Sequence, residues 1–154
     1  MFELILYEPE IPPNTGNIIR VCANTGTVLH LIHPLGFNLD DKNLRRAGLD
    51  YHEFAKLQQH NNLASCLSGL EGRRVFAVST RGVANYAEIE YRVGDVFLFG
   101  PETRGLPRII IEARPESQRI RIPMRPENRS LNLANAATVV LYEAWRQHGF
   151  RGGA

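Results

Sequence analysis

The stretch Phe-Gly-Pro-Glu-Thr-Arg-Gly-Leu-Pro at 99–107 brackets an acid and a base between Gly100 and Gly105. The glycines have four residues between them, the spacing of a phosphate-binding loop. Such a loop cradles phosphates with consecutive backbone N–H groups and a lysine. Here Leu106 and Pro107 stand where the lysine and the serine or threonine belong. Pro101 has no N–H, and the Glu102 carboxylate would repel a phosphate. The loop therefore argues against ATP or GTP. A plain tight turn would explain both glycines and both prolines, but it does not call for Glu102. The Gly-x-Gly-x-x-Gly fingerprint of dinucleotide folds is absent, and so is the Gly-x-Ser-x-Gly elbow of hydrolases.

Two further clusters could do chemistry. In NTGNIIRVCANTG (14–26), Ile18, Ile19, Cys22 and Ala23 share one side of a helix projection. Asn17, Arg20 and Asn24 share the other. Two amides and one Arg form hydrogen bonds without much net charge, and the functional reading sets Asn14 and Arg20 over a substrate. An ordinary polar face is the alternative. In NRSLNLANAATVVLYEAWRQ (128–147), Leu133, Ala134, Ala137, Val140, Leu141, Ala144 and Trp145 make a broad apolar stripe. The alanines in it would let another element approach closely, and packing in the core accounts fully for the stripe. Asn132, Asn135, Tyr142 and Arg146 lie on the other side. One cap residue is expected at a helix start. Asn128, Ser130, Asn132 and Asn135 crowd this one, which suggests a hydrogen-bonding site there.

Other chemistries find less support. Cys22 and Cys66 make no disulfide framework, and Cys22 reads as a packed thiol. No metal is expected: His30 and His33 fall three apart in a strand, where side chains alternate between faces. All but Lys42 and Lys56 of the 18 basic residues are Arg, the side chain suited to phosphates and to stacking on bases. The formal net charge is only +2, too small to argue nucleic acid by itself. No apolar run is long enough for a bilayer and no secretory signal is seen, so a cytoplasmic protein with no membrane partner is expected.

These residues need a frame, and 154 residues suffice for one domain, 1–154. Apolar runs at 2–7, 28–33, 74–79, 96–100 and 119–123 read as strands, with 52–57 as a weaker sixth. Helical patterns fall at 16–25, 40–48, 62–70, 107–113 and 131–148. The alternation predicts an α/β fold, a mostly parallel sheet with helices on both faces. The RGGA tail is expected to fray. Open parallel sheets bind ligands beyond the carboxyl ends of their strands. The loops to watch are therefore EPEIPPNTG, STRG, FGPETRGLP and PMRPENRS.

Three segments, PPNTGNIIRVCANTG (12–26), FGPETRGLP and IPMRPENRSLNLANAATVVLYEAWRQ (122–147), resemble the three motifs of the SpoU branch of the SPOUT RNA methyltransferases. LYEPEIPPNTGNIIRVCANTG and DDKNLRRAGLDYHEF are similar to one subgroup. Its small single-domain enzymes methylate the ribose 2′-hydroxyl of the wobble nucleotide, cytidine or modified uridine, in leucine tRNAs. The resemblance implies a deep C-terminal trefoil knot, a homodimer with each site beside the partner subunit, tRNA as substrate and S-adenosyl-L-methionine as cofactor. It implies that three loops hold the cofactor: Val78, Ser79 and Thr80; Gly100, Pro101, Glu102 and Gly105; and Ile122, Pro123, Met124, Ser130 and Leu131, with Asn135. Arg20 is then the central catalytic residue, with Asn14, Glu102, Ser130 and Asn132 around it, and Arg20, Tyr142 and Arg129 face the RNA.

The residues agree with that implication. A donor without phosphates suits a loop without lysine, and a carboxylate is tolerable near a sulfonium. Ile122 and Leu131 can wall an adenine. Glycines let main chain come close. Arg20 is a poor general base, because a guanidinium does not give up its proton. It is expected to grip a phosphate and stabilise developing alkoxide instead. A non-catalytic RNA- or ribosome-binding module on the same fold is the alternative, disfavoured because Arg20, Glu102 and Asn132 are all present. A nucleotide-dependent oxidoreductase is a third reading.

Overall fold

The apolar, β-branched runs become strands, the central ones buried on both faces as parallel sheets require. In the computed structural model, which describes residues 1–40, 42–45, 51–54 and 56–154, these are β1 (Glu3–Tyr7), β2 (Val28–Ile32), β4 (Val75–Val78), β6 (Val96–Phe99) and β7 (Arg119–Arg121). Two edge strands, β3 (Leu57–His60) and β5 (Ala84–Asn85), complete a seven-stranded sheet in the order β3-β2-β1-β6-β4-β7-β5. Every pairing among the described residues is parallel.

Helices cover both faces, as expected. α1 (Pro12–Thr25) and α5 (Leu133–Gln147) pack on the face formed by Leu4, Leu6, Phe76 and Phe97, with α2 (Lys42–Arg45) beside them through Leu44. α3 (Leu63–Ser68) and α4 (Arg108–Glu112) cover Ile5, Ile32, Ala77 and Leu98 on the other. Alternate residues of β1 and β6 thus serve two separate cores.

The structure corrects several expectations. α1 begins at Pro12, not near residue 16, and its N-cap is Ile11 rather than Asn14 or Thr15. Proline at the first helical position lacks only an N–H that would have no helical partner anyway. The strand expected at 52–57 is displaced: Tyr51–Phe54 forms a 3₁₀ turn and β3 follows it. An edge strand reading Leu-Gln-Gln-His carries little apolar alternation to betray it. Of the helix expected at 40–48, positions 41 and 46–48 lie outside the described residues. The start of the tail is held to α5. Trp145 Nε1 donates to the Arg151 carbonyl at 3.0 Å, and the Phe150 ring meets the Trp145 indole edge-on.

The α5 stripe packs in the core, as its apolar residues lead one to expect. Ala134, Ala137, Val140, Leu141 and Ala144 are buried inside this chain, against α1 and the sheet. The small alanines admit α1, so the stripe is not available to a second subunit. A charge placed there would enter the chain's own core.

Candidate active site

Between β1 and β6 the chain diverges. From β1 it crosses through α1 on one face, and from β6 it enters α4 on the other. Such a switch point opens a crevice beyond the carboxyl ends of the strands. A cleft of about 470 Å³ lies there, within the usual range of small-molecule sites.

Residues from three distant loops converge on it. Val78, Ser79 and Thr80 come from the end of β4, and Gly100, Pro101, Glu102 and Gly105 from the loop after β6. Ile122, Met124, Ser130 and Leu131 come from the segment between β7 and α5. Asn14 and Asn132 reach in from the starts of α1 and α5. Pro123 is not in the lining. Alternation continues past β7, so Ile122 and Met124 are half-buried while Pro123 is exposed. Asn135, Arg129 and Tyr142 are also exposed and outside the lining.

Arg20 stands apart as well. It lies six residues beyond Asn14 on α1, about 9 Å along the axis and about 120° around it. Its Nε is 3.4 Å from Glu53 Oε1, in the 3₁₀ turn before β3. The Arg20 side chain remains 46% exposed, while that of Glu53 is 11% exposed. A pair with one solvated partner is worth about 0–1 kcal/mol, so Glu53 steadies the guanidinium without immobilising it.

The polar residues of the cleft form one network. Glu102 Oε2 accepts from the Glu10 N–H at 2.7 Å and Oε1 from the Ile11 N–H at 3.1 Å, at the start of α1. In return, Glu10 Oε1 accepts from the Thr103 N–H at 3.1 Å and the Thr103 hydroxyl at 2.7 Å. These bonds hold the Glu10 carboxyl below its ordinary pKa. Arg104 closes a third rung to Glu8. On the other flank, Asn132 Oδ1 caps α5 by accepting from Ala134 N–H at 2.9 Å and Asn135 N–H at 3.3 Å. Its Nδ2 donates to Asn14 Oδ1 at 3.0 Å, and Asn14 Nδ2 lies 3.5 Å from Glu102 Oε1. Asn14, Glu102 and Asn132 thus tie α1, the β6–α4 loop and α5 together across the cleft.

That geometry gives Glu102 a positioning role. Its carboxylate already holds two backbone donors at the positive end of a helix, which leaves it badly placed to take a substrate proton. Glu102→Gln puts an amide where one N–H needs an acceptor. The expected loss is about 1–2 kcal/mol of stability, the low side for hydrogen bonds to charge because the site is half-open. Thermal melting should show Tm falling by several degrees together with a loss of activity. Unchanged Tm with activity abolished would move Glu102 into the chemistry instead.

Gly100 also has a local reason. A Cβ there would lie 2.2 Å from the Leu106 nitrogen and 2.4 Å from the Gly105 carbonyl carbon. The loop folds back on Gly100 itself, so close approach by a ligand is not what forbids a side chain. Several lining residues carry no site signal of their own in the sequence, Arg81 and Ile11 among them. Arg81 donates through Nη2 to the Leu106 carbonyl at 2.7 Å, bracing the β4 loop on the β6 loop. Ile11 supplies part of the near wall. The STRG and EPEIPP loops were the available signals. Cys22 is buried, and burial pushes its thiol up to about 12, so it is no nucleophile.

Residues 1–142 match the SpoU rRNA methylase family. The chain belongs to that family. It is 62% identical over 152 residues to a tRNA (cytidine(34)-2'-O)-methyltransferase of Methylovorus glucosotrophus, covering 99% of each chain. A solved structure concerned with the 2-OH methylation of C/U34 on tRNA superposes with a TM-score of 0.91 at 49% identity, over 98% of both chains. An AdoMet-bound rRNA methyltransferase of Sinorhizobium meliloti superposes with a TM-score of 0.81 at 27% identity, over 94% of this chain and 56% of that one. The SpoU motifs and the α/β fold expected from the sequence are therefore confirmed. Among the described residues no helix is long and apolar enough to cross a membrane.

Proposed function

We propose that this SpoU family member transfers the methyl group of S-adenosyl-L-methionine to the ribose 2′-hydroxyl of nucleotide 34 of tRNA, cytidine or modified uridine, in leucine isoacceptors. The observation that carries the reading is the convergence of three separated loops on one switch-point cleft. It is supported by near full-length similarity to an enzyme named for that reaction. The cleft fits the cofactor: Ile122, Leu131 and Leu106 offer apolar walls, and the β6–α4 loop offers main chain with no lysine. When bound, the sulfonium supplies an activated methyl group. The chain's residues hold donor and ribose in line, which is the larger part of such catalysis. The SpoU trefoil knot belongs to the same proposal.

Arg20 is the residue that grips the tRNA phosphate beside the target ribose and stabilises the alkoxide as it forms. Its position outside its own cleft supports a homodimer in which it serves the cleft of the partner. Exposed Arg104, Arg125 and Arg129, around or beside the cleft, suit the tRNA backbone. Isothermal calorimetry is expected to show S-adenosylmethionine binding. Mass spectrometry of tRNA from a deletion strain, before and after treatment with the purified protein, is expected to show one ribose methyl appearing at nucleotide 34. Cofactor binding without methyl transfer to any tRNA would overturn the assignment.

A further inference from the structure

On the sheet face away from α1 and α5, three donor atoms converge that the methyl-transfer reading does not use. His30 lies in the middle of β2, His60 ends β3, and Cys66 sits in α3. One ligand atom from each lies within 4.8 Å of the other two. His30 and Cys66 are buried, and the half-buried His60 forms the solvent side of the cluster.

The hydrogen bonds around His30 fix its tautomer. Its Nε2 lies 2.7 Å from Glu3 Oε2, while Arg73 Nη1 donates to the other Glu3 oxygen at 2.6 Å. An ionised Glu3 can only accept, so His30 Nε2 carries a proton, and in the neutral ring the Nδ1 lone pair turns outward. That lone pair faces His60 Nε2 at 2.9 Å. A carboxylate behind one ring nitrogen with a bare lone pair on the other is the arrangement of metal-ligating histidines. We propose that His30 Nδ1, His60 Nε2 and Cys66 Sγ bind a divalent cation of the zinc type, with Glu3 as the carboxylate that orients His30.

The donor set and geometry select that class of ion. Two imidazoles and a thiolate suit zinc and disfavour magnesium or calcium, which take oxygen ligands. Nitrogens bound at about 2.0–2.1 Å to one tetrahedral ion lie about 3.3 Å apart. The two nitrogens are 2.9 Å apart, so between them an ion replaces the shared proton with a shift of a few tenths of an ångström, while Cys66 Sγ, within 4.8 Å of both, loses its thiol proton and closes to about 3.6 Å. The cation clamps edge strand β3 and α3 onto β2. The cluster lies on the opposite face from α1 and α5, so its role is structural.

The test uses chelator-treated full-length protein titrated with Co²⁺ and then Zn²⁺. Expected are one equivalent of bound cobalt, a thiolate-to-cobalt charge-transfer band, visible bands of four-coordinate cobalt, and displacement by zinc with a rise in Tm. Cys66→Ser is expected to abolish the charge-transfer band, while Cys22→Ser retains it. His60→Gln, at a half-buried position that folding tolerates, is expected to weaken zinc at least about tenfold. No stoichiometric cobalt binding, or a thiolate band that survives in Cys66→Ser, would show a hydrogen-bonded histidine pair only and overturn the site.

Discussion

Arg20→Ala is expected to lower methyl transfer by at least about 10²–10³-fold, the effect of removing a donor aimed at developing negative charge. Cofactor affinity should change little, because the proposed grip of Arg20 is on the tRNA phosphate and not on the methyl donor. Arg20→Lys separates two roles: it keeps the charge and loses the two-pronged fork. If that variant retains most activity, a bidentate grip on phosphate is wrong. A mixed dimer decides which subunit the residue serves. One chain carries Arg20→Ala. The other carries Leu131→Asp, which charges the cleft wall at a residue 42% exposed and so tolerant of substitution. Either homodimer should be inactive. If Arg20 acts across the seam, the purified heterodimer has one complete site of two and about half of wild-type activity. If Arg20 acts on its own cleft, the heterodimer is as dead as its parents. Glu53 gives an internal control: it steadies Arg20 through an ion pair with one solvated partner, so Glu53→Gln should lower activity far less than Arg20→Ala.

What could be read in the sequence depended on the range of the interaction. β1, β2, β4 and β6 are central strands with apolar residues on both faces, and their runs announce them. β3 and β5 lie at the edges, one mostly polar and one two residues long, so no periodicity marks them. Cap chemistry was half legible. Asn132 was among four candidates at the start of α5, but Pro12 was read as loop when it opens a helix. The loops that meet at the cleft were legible, because the fold rule names strand ends and the motifs fall on them. The role of Glu102 was not: its partners are 92 and 91 residues earlier in the chain. The His30–His60–Cys66 cluster escaped for the same reason. His33, the neighbour in sequence, instead meets Gln59 at 2.8 Å.

Gly100→Ala is expected to be the most destabilising single change in the β6–α4 loop, and Gly105 supplies the comparison. The added Cβ meets backbone, with the Leu106 nitrogen at 2.2 Å and its Cα at 2.8 Å, and backbone cannot rotate away. The turn is held by the Gly105 N–H donating to the Pro101 carbonyl at 2.8 Å and by Arg81 on the Leu106 carbonyl. Opening it withdraws Leu106, 1% exposed, from the core under α4. Losing that burial and the turn together is worth about 3–5 kcal/mol, the range of large core truncations. For a domain of this size that is a fall in Tm of roughly 6–20 °C. Gly105 differs in kind: a Cβ there meets nothing within 4 Å, but φ is +67°. Gly105→Ala therefore meets only the left-handed backbone penalty, about 1–2 kcal/mol, and Gly105→Asn less. The expected order of Tm is wild type, then Gly105→Asn, Gly105→Ala and last Gly100→Ala. S-adenosylmethionine affinity should fall most in Gly100→Ala, since the displaced main chain forms the cleft wall. If Gly105→Ala proves the more damaging, ligand contact at residue 105 outweighs loop closure at residue 100, and the account of the loop as a self-packed turn fails.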